Sequence, residues 1–243
     1  MAGPALVIFD CDGVLIDSEA LSASVFMEEL ALLGMEIDLD YFARNCLGRA
    51  FPSVRARLER DFGQALPEGF EAHYRTKLMT RFSRDLKVMP EVVEAIRRLD
   101  RPYHLATSSA PARLAQSLAI TGLNTLFEGR CSTASEVRRG KPAPDLFLHV
   151  AALYDVAPQD CLVIEDSEVG IAGARAAGMR VWRFLGGAHL APLAAALPQT
   201  PQDPALLGGA DLAFDSFAQF TALLSAWPLR PLIQSSPFSG ASK

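Results

Sequence analysis

The sequence predicts an α/β fold built on a parallel sheet and interrupted early by a helical insertion. Three observations carry this reading. Short apolar runs, each but the last closed abruptly by a polar residue, recur along the chain: Ala5–Phe9 before Asp10, Tyr103–Ala106 before Thr107, Leu162–Ile164 before Glu165, and Val181–Phe184. Their apolar residues run on without alternating, the mark of strands covered on both faces, as in a parallel sheet. Helical spacing lies between them. Val92, Ile96 and Leu99 follow Pro90 at a helix start, Leu146, Val150 and Leu153 repeat the interval, and the small residues Ile171–Ala177 stop at Gly178. Strand and helix in alternation imply right-handed crossovers. Finally, Ser18 to about Arg84 shows no strand pattern, only helical spacing: Leu21, Val25 and Leu32, then Val54, Leu58 and Phe62, then Phe70–Phe82. About 65 such residues exceed the single helix a crossover needs, so they predict a helical subdomain inserted after the first strand.

Composition agrees with a globular protein. Of 243 residues, 50% are hydrophobic and 21% charged, which excludes disordered and collagen-like classes. The length suggests one to two domains and allows a core that needs no disulfide or metal staple. Twenty-three basic against 28 acidic residues, a net charge of −5, argue against a general nucleic-acid binder. Cys11, Cys46, Cys131 and Cys161 are scattered without CxxC or zinc-site spacing, as expected of reduced thiols. The N-terminus lacks a basic segment before its apolar run, and no stretch reaches the roughly 20 apolar residues of a membrane span. The expectation is a soluble, cytoplasmic chain.

Ligands of open parallel sheets bind beyond the carboxyl ends of the strands, so the residues that close them are compared as a set. They are Asp10-Cys11-Asp12-Gly13, Thr107-Ser108-Ser109 and Glu165-Asp166-Ser167. Four carboxylates from two strands repel one another unless a hard cation or a proton relieves them, and an all-oxygen set suits Mg²⁺. Lys141, one of four lysines in the chain, lies among turn residues in Gly140-Lys141-Pro142-Ala143-Pro144-Asp145. The Gly140-Lys141 pair is no Walker A loop, because Pro142 follows it and no glycine precedes it at the right spacing. Carboxylates, a metal, hydroxyls and one ammonium together make a phosphate site.

These segments resemble the haloacid dehalogenase superfamily of aspartate-nucleophile phosphohydrolases, in the branch with a helical cap after the first strand. Phe9-Asp10-Cys11-Asp12-Gly13-Val14-Leu15-Ile16-Asp17-Ser18-Glu19 matches the family's DxDG(V/T)xxD(S/T) signature. Thr107 matches the second motif, Lys141 in GKPAPD the third, and Ile164-Glu165-Asp166-Ser167 with Gly170-Ile171 the fourth. The resemblance covers nearly all of residues 5–228 and is strongest to the β-phosphoglucomutase-like and sugar-phosphate phosphatase group. It implies a Rossmann-like core of residues 1–17 and 85–228, a helical cap of 18–84, and a flexible tail of 229–243.

The resemblance also implies roles. Asp10 is the expected nucleophile, forming an aspartyl-phosphate, and Asp12 the acid and base, with a proton exchangeable near neutral pH. Asp10, the Asp12 backbone carbonyl and Asp166 are expected to hold Mg²⁺, with Glu165 a further ligand directly or through water. Thr107, the Ser108 amide and Lys141 are expected on the phosphoryl oxygens. Asp12 points to phosphate esters, because dehalogenating and phosphonate-cleaving relatives lack an aspartate at this position. Asp17 and Ser18 read as turn and N-cap residues, Ser167 as an N-cap, and Ser109 as packing in its turn. In the cap, Gly48-Arg49, Arg75 and Lys77 are candidates for the substrate, with at most one of the last two facing inward. The expected partner is a small phosphorylated metabolite, a sugar or sugar-acid phosphate, with no nucleic acid or membrane, on a monomer or weak homodimer. The alternatives are a phosphosugar mutase, which shares all four motifs, and a non-enzymatic binding protein on the same fold.

Overall fold

In the computed structural model, which describes residues 3–47, 49, 51–196 and 203–227, the apolar runs pair as one sheet. Its strands are β1 (Leu6–Phe9), β2 (Tyr103–Thr107), β3 (Cys131–Thr133), β4 (Cys161–Glu165), β5 (Arg180–Phe184) and β6 (Leu212–Phe214). They lie in the order β3-β2-β1-β4-β5-β6, and every neighbouring pair is parallel. The continuous apolar runs have the expected cause. Val7 and Phe9 face one cluster with Leu105, Leu162 and Trp182, while Leu6 and Ile8 face another with Ala106, Cys161 and Val181. The strands β3 and β6 have no counterpart in the sequence reading. Each has three residues and lies at a sheet edge, and the Cys-Ser-Thr of β3 is too short and polar to stand out as a buried run.

Four helices occupy the expected insertion: α1 (Glu19–Ala31), α2 (Leu39–Asn45), α3 (Phe51–Phe62) and α4 (Phe70–Asp85). Among its described residues there is no strand. Phe26, Leu30, Phe42, Val54, Leu58 and Phe70 form a cluster of their own, whereas Val25, Leu78 and Phe82 join the sheet-side core. The helices α1 and α4 therefore carry two buried faces, one toward each cluster. The remaining helices are α5 (Val92–Arg97), α6 (Pro111–Thr121), α7 (Asp145–Leu153), α8 (Glu168–Ala176), α9 (Ala191–Ala196), α10 (Pro204–Leu207) and α11 (Phe217–Ser225). The helix expected behind Pro90 is only six residues long, so Leu99 packs on the core from beyond its end. Gly178, with φ of 75°, follows α8 in the left-handed region.

All four cysteines are free thiols. Among the described residues no helix is long and apolar enough to cross a membrane. Gly48 and the segment expected as a tail, 229–243, lie outside the described residues.

A buried imidazole lies inside the sheet. His104 on β2 is 2% exposed. Its Nδ1 is 3.2 Å from the Tyr154 hydroxyl and its Nε2 3.1 Å from Ser132 Oγ. Burial pushes its pKa from 6.5 down to about 4. A histidine held neutral in the fold binds its proton more readily once unfolded, so stability is lost as pH falls through this window. We expect a loss on the order of 2 kcal/mol between pH 6.5 and 4 from this residue. Urea unfolding across that range should show the slope, and His104→Gln should flatten it.

Candidate active site

The strand order reverses between β1 and β4, and ligands of doubly wound sheets bind at such a crossing point. Register sets its chemistry. Phe9 pairs with Ile164, so the next residues, Asp10 and Glu165, emerge side by side, and the Asp10 amide donates to the Ile164 carbonyl at 2.9 Å. Gly13 then turns the chain with φ of 79°. A side chain there would meet the Asp166 carboxylate at 2.0 Å. Gly170 serves Glu165 in the same way, because a Cβ on that first turn of α8 would lie 1.7 Å from the Glu165 carboxylate.

Lys141 holds this edge together. A turn closed by the Ala143 amide on the Gly140 carbonyl at 3.0 Å fixes its backbone. Its ammonium donates to Asp10 Oδ1 at 2.5 Å, to Glu165 Oε1 at 2.6 Å and to the Ala106 carbonyl at 3.0 Å. The other Glu165 oxygen accepts the Asp166 and Ser167 amides, each at 3.1 Å, and Ser167 Oγ at 2.9 Å. Ser167 is also the expected N-cap, accepting from the Gly170 amide. Burial pushes the Asp10 carboxyl well above its usual range, with Glu165, Asp166 and Asp12 adding to the rise and Lys141 opposing it. Glu165 is raised by burial and by Asp166, against the pull of Lys141. Burial would lower Lys141, but Asp10 and Glu165 hold it above its usual value.

Asp12 faces away from this cluster. Its carboxylate accepts from Ser109 Oγ at 2.6 Å, Ser18 Oγ at 2.7 Å and the Arg113 guanidinium at 2.7 Å. Burial raises its pKa, but Arg113 and the two hydroxyls outweigh it and leave it below the usual value. The expected proton near neutrality is therefore absent from this arrangement, in which Asp12 is ionised. Close by, burial together with Asp12 and Asp166 pushes Glu19 up to about 7. His189 Nε2 lies 3.0 Å from Asp166 Oδ2.

A cavity of about 390 Å³ is lined by all the core residues singled out from the sequence: Asp10, Asp12, Thr107, Ser108, Lys141, Glu165 and Asp166. The oxygens of Asp10, Glu165 and Asp166 lie within 4.8 Å of one another, a set that could hold a metal ion. The Asp12 side chain is outside that set. Arg49 lines the same cavity, and Arg75 lines a neighbouring one. Lys77 is exposed and lines neither, because two residues along α4 turn it to the opposite side from Arg75.

Three residues differ from the sequence reading. Ser18 stands at the N-cap of α1 but makes no side-chain cap bond, and its hydroxyl goes to Asp12 instead. Ser109 reaches Asp12 rather than merely filling its turn. Arg113 was not singled out at all. Its signal is a cation in the first turn of α6, behind Pro111 and with no acidic companion, where the helix dipole disfavours positive charge.

Removing Lys141 would leave two buried carboxylates facing each other. We expect Lys141→Met to cost about 3–5 kcal/mol, read as a lower urea midpoint at pH 7. The loss should shrink at lower pH, where the raised Asp10 and Glu165 carboxyls take up protons.

The model of the haloacid dehalogenase-like hydrolases matches residues 4–178. A fructose-1-phosphate phosphatase of Escherichia coli is 29% identical over 71% of this chain and 92% of its own. The β-phosphoglucomutase of Bacillus subtilis is 31% identical over 71% of this chain and 80% of its own. A haloacid dehalogenase family hydrolase of Deinococcus radiodurans, solved with bound phosphate and sodium, is 32% identical and superposes with a TM-score of 0.73 over 93% of this chain and 96% of that one. With its motifs gathered at the crossing point of the sheet, the chain belongs to the haloacid dehalogenase-like hydrolases.

Proposed function

We propose that this hydrolase is a Mg²⁺-dependent phosphatase that cleaves a small phosphate monoester, a sugar or sugar-acid phosphate, through an aspartyl-phosphate on Asp10. The observation that carries the reading is the pair of aspartates two residues apart with opposite surroundings. Asp10 lies against the Lys141 ammonium at the crossing point, and Asp12 is turned onto two hydroxyls and a guanidinium. One carboxylate is placed to attack and the other to move protons.

Residues 18–84 act in this reading as a cap over a core of 1–17 and 85–228. Lys141 neutralises one side of Asp10 and would draw in a phosphoryl oxygen. Thr107 Oγ1 accepts the Ser109 amide at 3.0 Å, which leaves its hydroxyl proton free for the phosphoryl group beside the Ser108 amide. The buried, all-oxygen set of Asp10, Glu165 and Asp166 fits a hard divalent cation, joined by the Asp12 backbone carbonyl. Glu165 would act directly or through water. When bound, Mg²⁺ would neutralise the charge that gathers on the phosphoryl oxygens.

In the first step an Asp10 oxygen bonds to phosphorus, the ester P–O bond breaks, and the leaving oxygen takes a proton from Asp12. In the second, ionised Asp12 takes a proton from water, whose oxygen bonds to phosphorus as the Asp10–phosphorus bond breaks. Three donors hold Asp12 in the form that the second step needs. The proton that Asp12 gives in the first step is the one it takes from water in the second, and keeping it between turnovers requires its carboxyl to swing clear of Arg113. The E. coli relative's name supports the phosphatase reading. The B. subtilis relative's name favours a second one, a phosphosugar mutase.

Two measurements test these readings. The wild-type chain should release inorganic phosphate over many turnovers from hexose and pentose phosphates, and Asp10→Asn should lower that rate by at least about a thousandfold with an unchanged circular dichroism spectrum. Isomerisation without phosphate release would favour the mutase. Exhaustive chelation should abolish release and added Mg²⁺ restore it; undiminished activity after chelation would contradict the metal.

A further inference from the structure

Of the three carboxylates in the acidic set, Lys141 tethers two and leaves the third. Its ammonium reaches Asp10 and Glu165, and the second Glu165 oxygen takes two amides and a hydroxyl. The donor that stands against the buried Asp166 carboxylate is His189, whose Nε2 lies 3.0 Å from Asp166 Oδ2.

The fold builds this contact from several sides. His189 belongs to a single turn of 3₁₀ helix, Ala188–Leu190, beyond β5. Leu190 anchors the turn in a small cluster with Leu185 and Leu206, and the Ala188 amide donates to Asp17 Oδ1 at 3.2 Å. Gly187 makes room for the ring, since a Cβ there would lie 2.7 Å from His189 Cε1. Gly13 makes room for both partners, because its Cβ would meet Asp166 Oδ2 at 2.0 Å and His189 Cε1 at 3.1 Å. Both ring nitrogens are buried and neither has an aligned hydrogen bond. A buried donor in that state is costly unless it answers the charge beside it.

We propose that His189 is a positioning residue of the metal site, steadying the Asp166 carboxylate through its Nε2 proton so that Asp166 is ordered before the ion arrives. The inference rests on the Mg²⁺ reading and adds the residue that holds the one carboxylate Lys141 does not reach. His189 is not itself a ligand. It stands outside the set of Asp10, Glu165 and Asp166 and does not line the phosphoryl cavity, and Mg²⁺ prefers oxygen to an imidazole nitrogen. Its effect passes through the carboxylate, and loss of such an outer partner typically weakens metal binding by about 10–100-fold.

Mg²⁺ titrated calorimetrically into metal-free protein tests this apart from catalysis. His189→Phe keeps the bulk of a ring without a donor and should bind Mg²⁺ about 10–100-fold more weakly than wild type. His189→Gln keeps an N–H donor and should stay within about threefold of wild type. In phosphate release, the Mg²⁺ concentration at half-maximal rate should rise for His189→Phe by the same factor, while the rate at saturating Mg²⁺ changes little. Should the Phe variant fail to fold, His189→Ala takes its place. Wild-type or tighter affinity in a variant without the donor, or equal losses with and without it, would overturn the inference and leave the metal reading standing. A wild-type chain that binds no Mg²⁺ would count against the metal reading itself and take the inference with it.

Discussion

The Lys141 ammonium is the contact on which the arrangement of this sheet edge depends. It touches the ends of three neighbouring strands, through the Ala106 carbonyl on β2, Asp10 after β1 and Glu165 on β4. Parallel pairing in this register drives the two carboxylates side by side beneath the protein surface. Two anions so placed would be intolerable in a medium that screens charge poorly, and the ammonium turns their repulsion into a three-centre attraction. All three of its protons are used, so its position is fixed as tightly as a strand. Gly13 and Gly170 then give the carboxylates room, each standing where a side chain would overlap Asp166 or Glu165.

Much of this was legible in the sequence because strand ends and chemistry coincide. An apolar run that halts at Asp10, Thr107 or Glu165 announces both a buried strand and the residue presented at its tip. The edge strands β3 and β6 escaped because three residues give no period to read. The partners of Asp12 escaped for a different reason. Ser18 occupies a position where serine ordinarily caps a helix, so its local role hid a tertiary one. Arg113 comes from a helix 101 residues away in sequence. Nothing near Asp12 in the sequence names such a partner, and only the unfavourable place of a cation in the first turn of α6 hints at it.

The two aspartates of the first motif show how fold, rather than residue type, assigns chemistry. They are separated by one cysteine, yet burial among carboxylates raises one and a guanidinium with two hydroxyls lowers the other. Glu19, which lines both the phosphoryl cavity and its neighbour, is raised to about 7 by burial and by Asp12 and Asp166.

The double-sided burial of α1 and α4 bears on how such an insertion can be exchanged between proteins. Val25, Leu78 and Phe82 are keyed into the sheet-side core, whereas Phe42, Val54 and Leu58 interlock only within the helical cluster. Transplanting the whole segment would therefore tear apolar side chains out of the host as well as the graft. Taking α2 and α3 alone fares no better, because their Phe42, Val54 and Leu58 pack in one cluster with Phe26 and Leu30 of α1 and Phe70 of α4. With no seam in the insertion free of shared apolar contacts, recombination has no clean cut here, and change would have to proceed one residue at a time in step with both clusters.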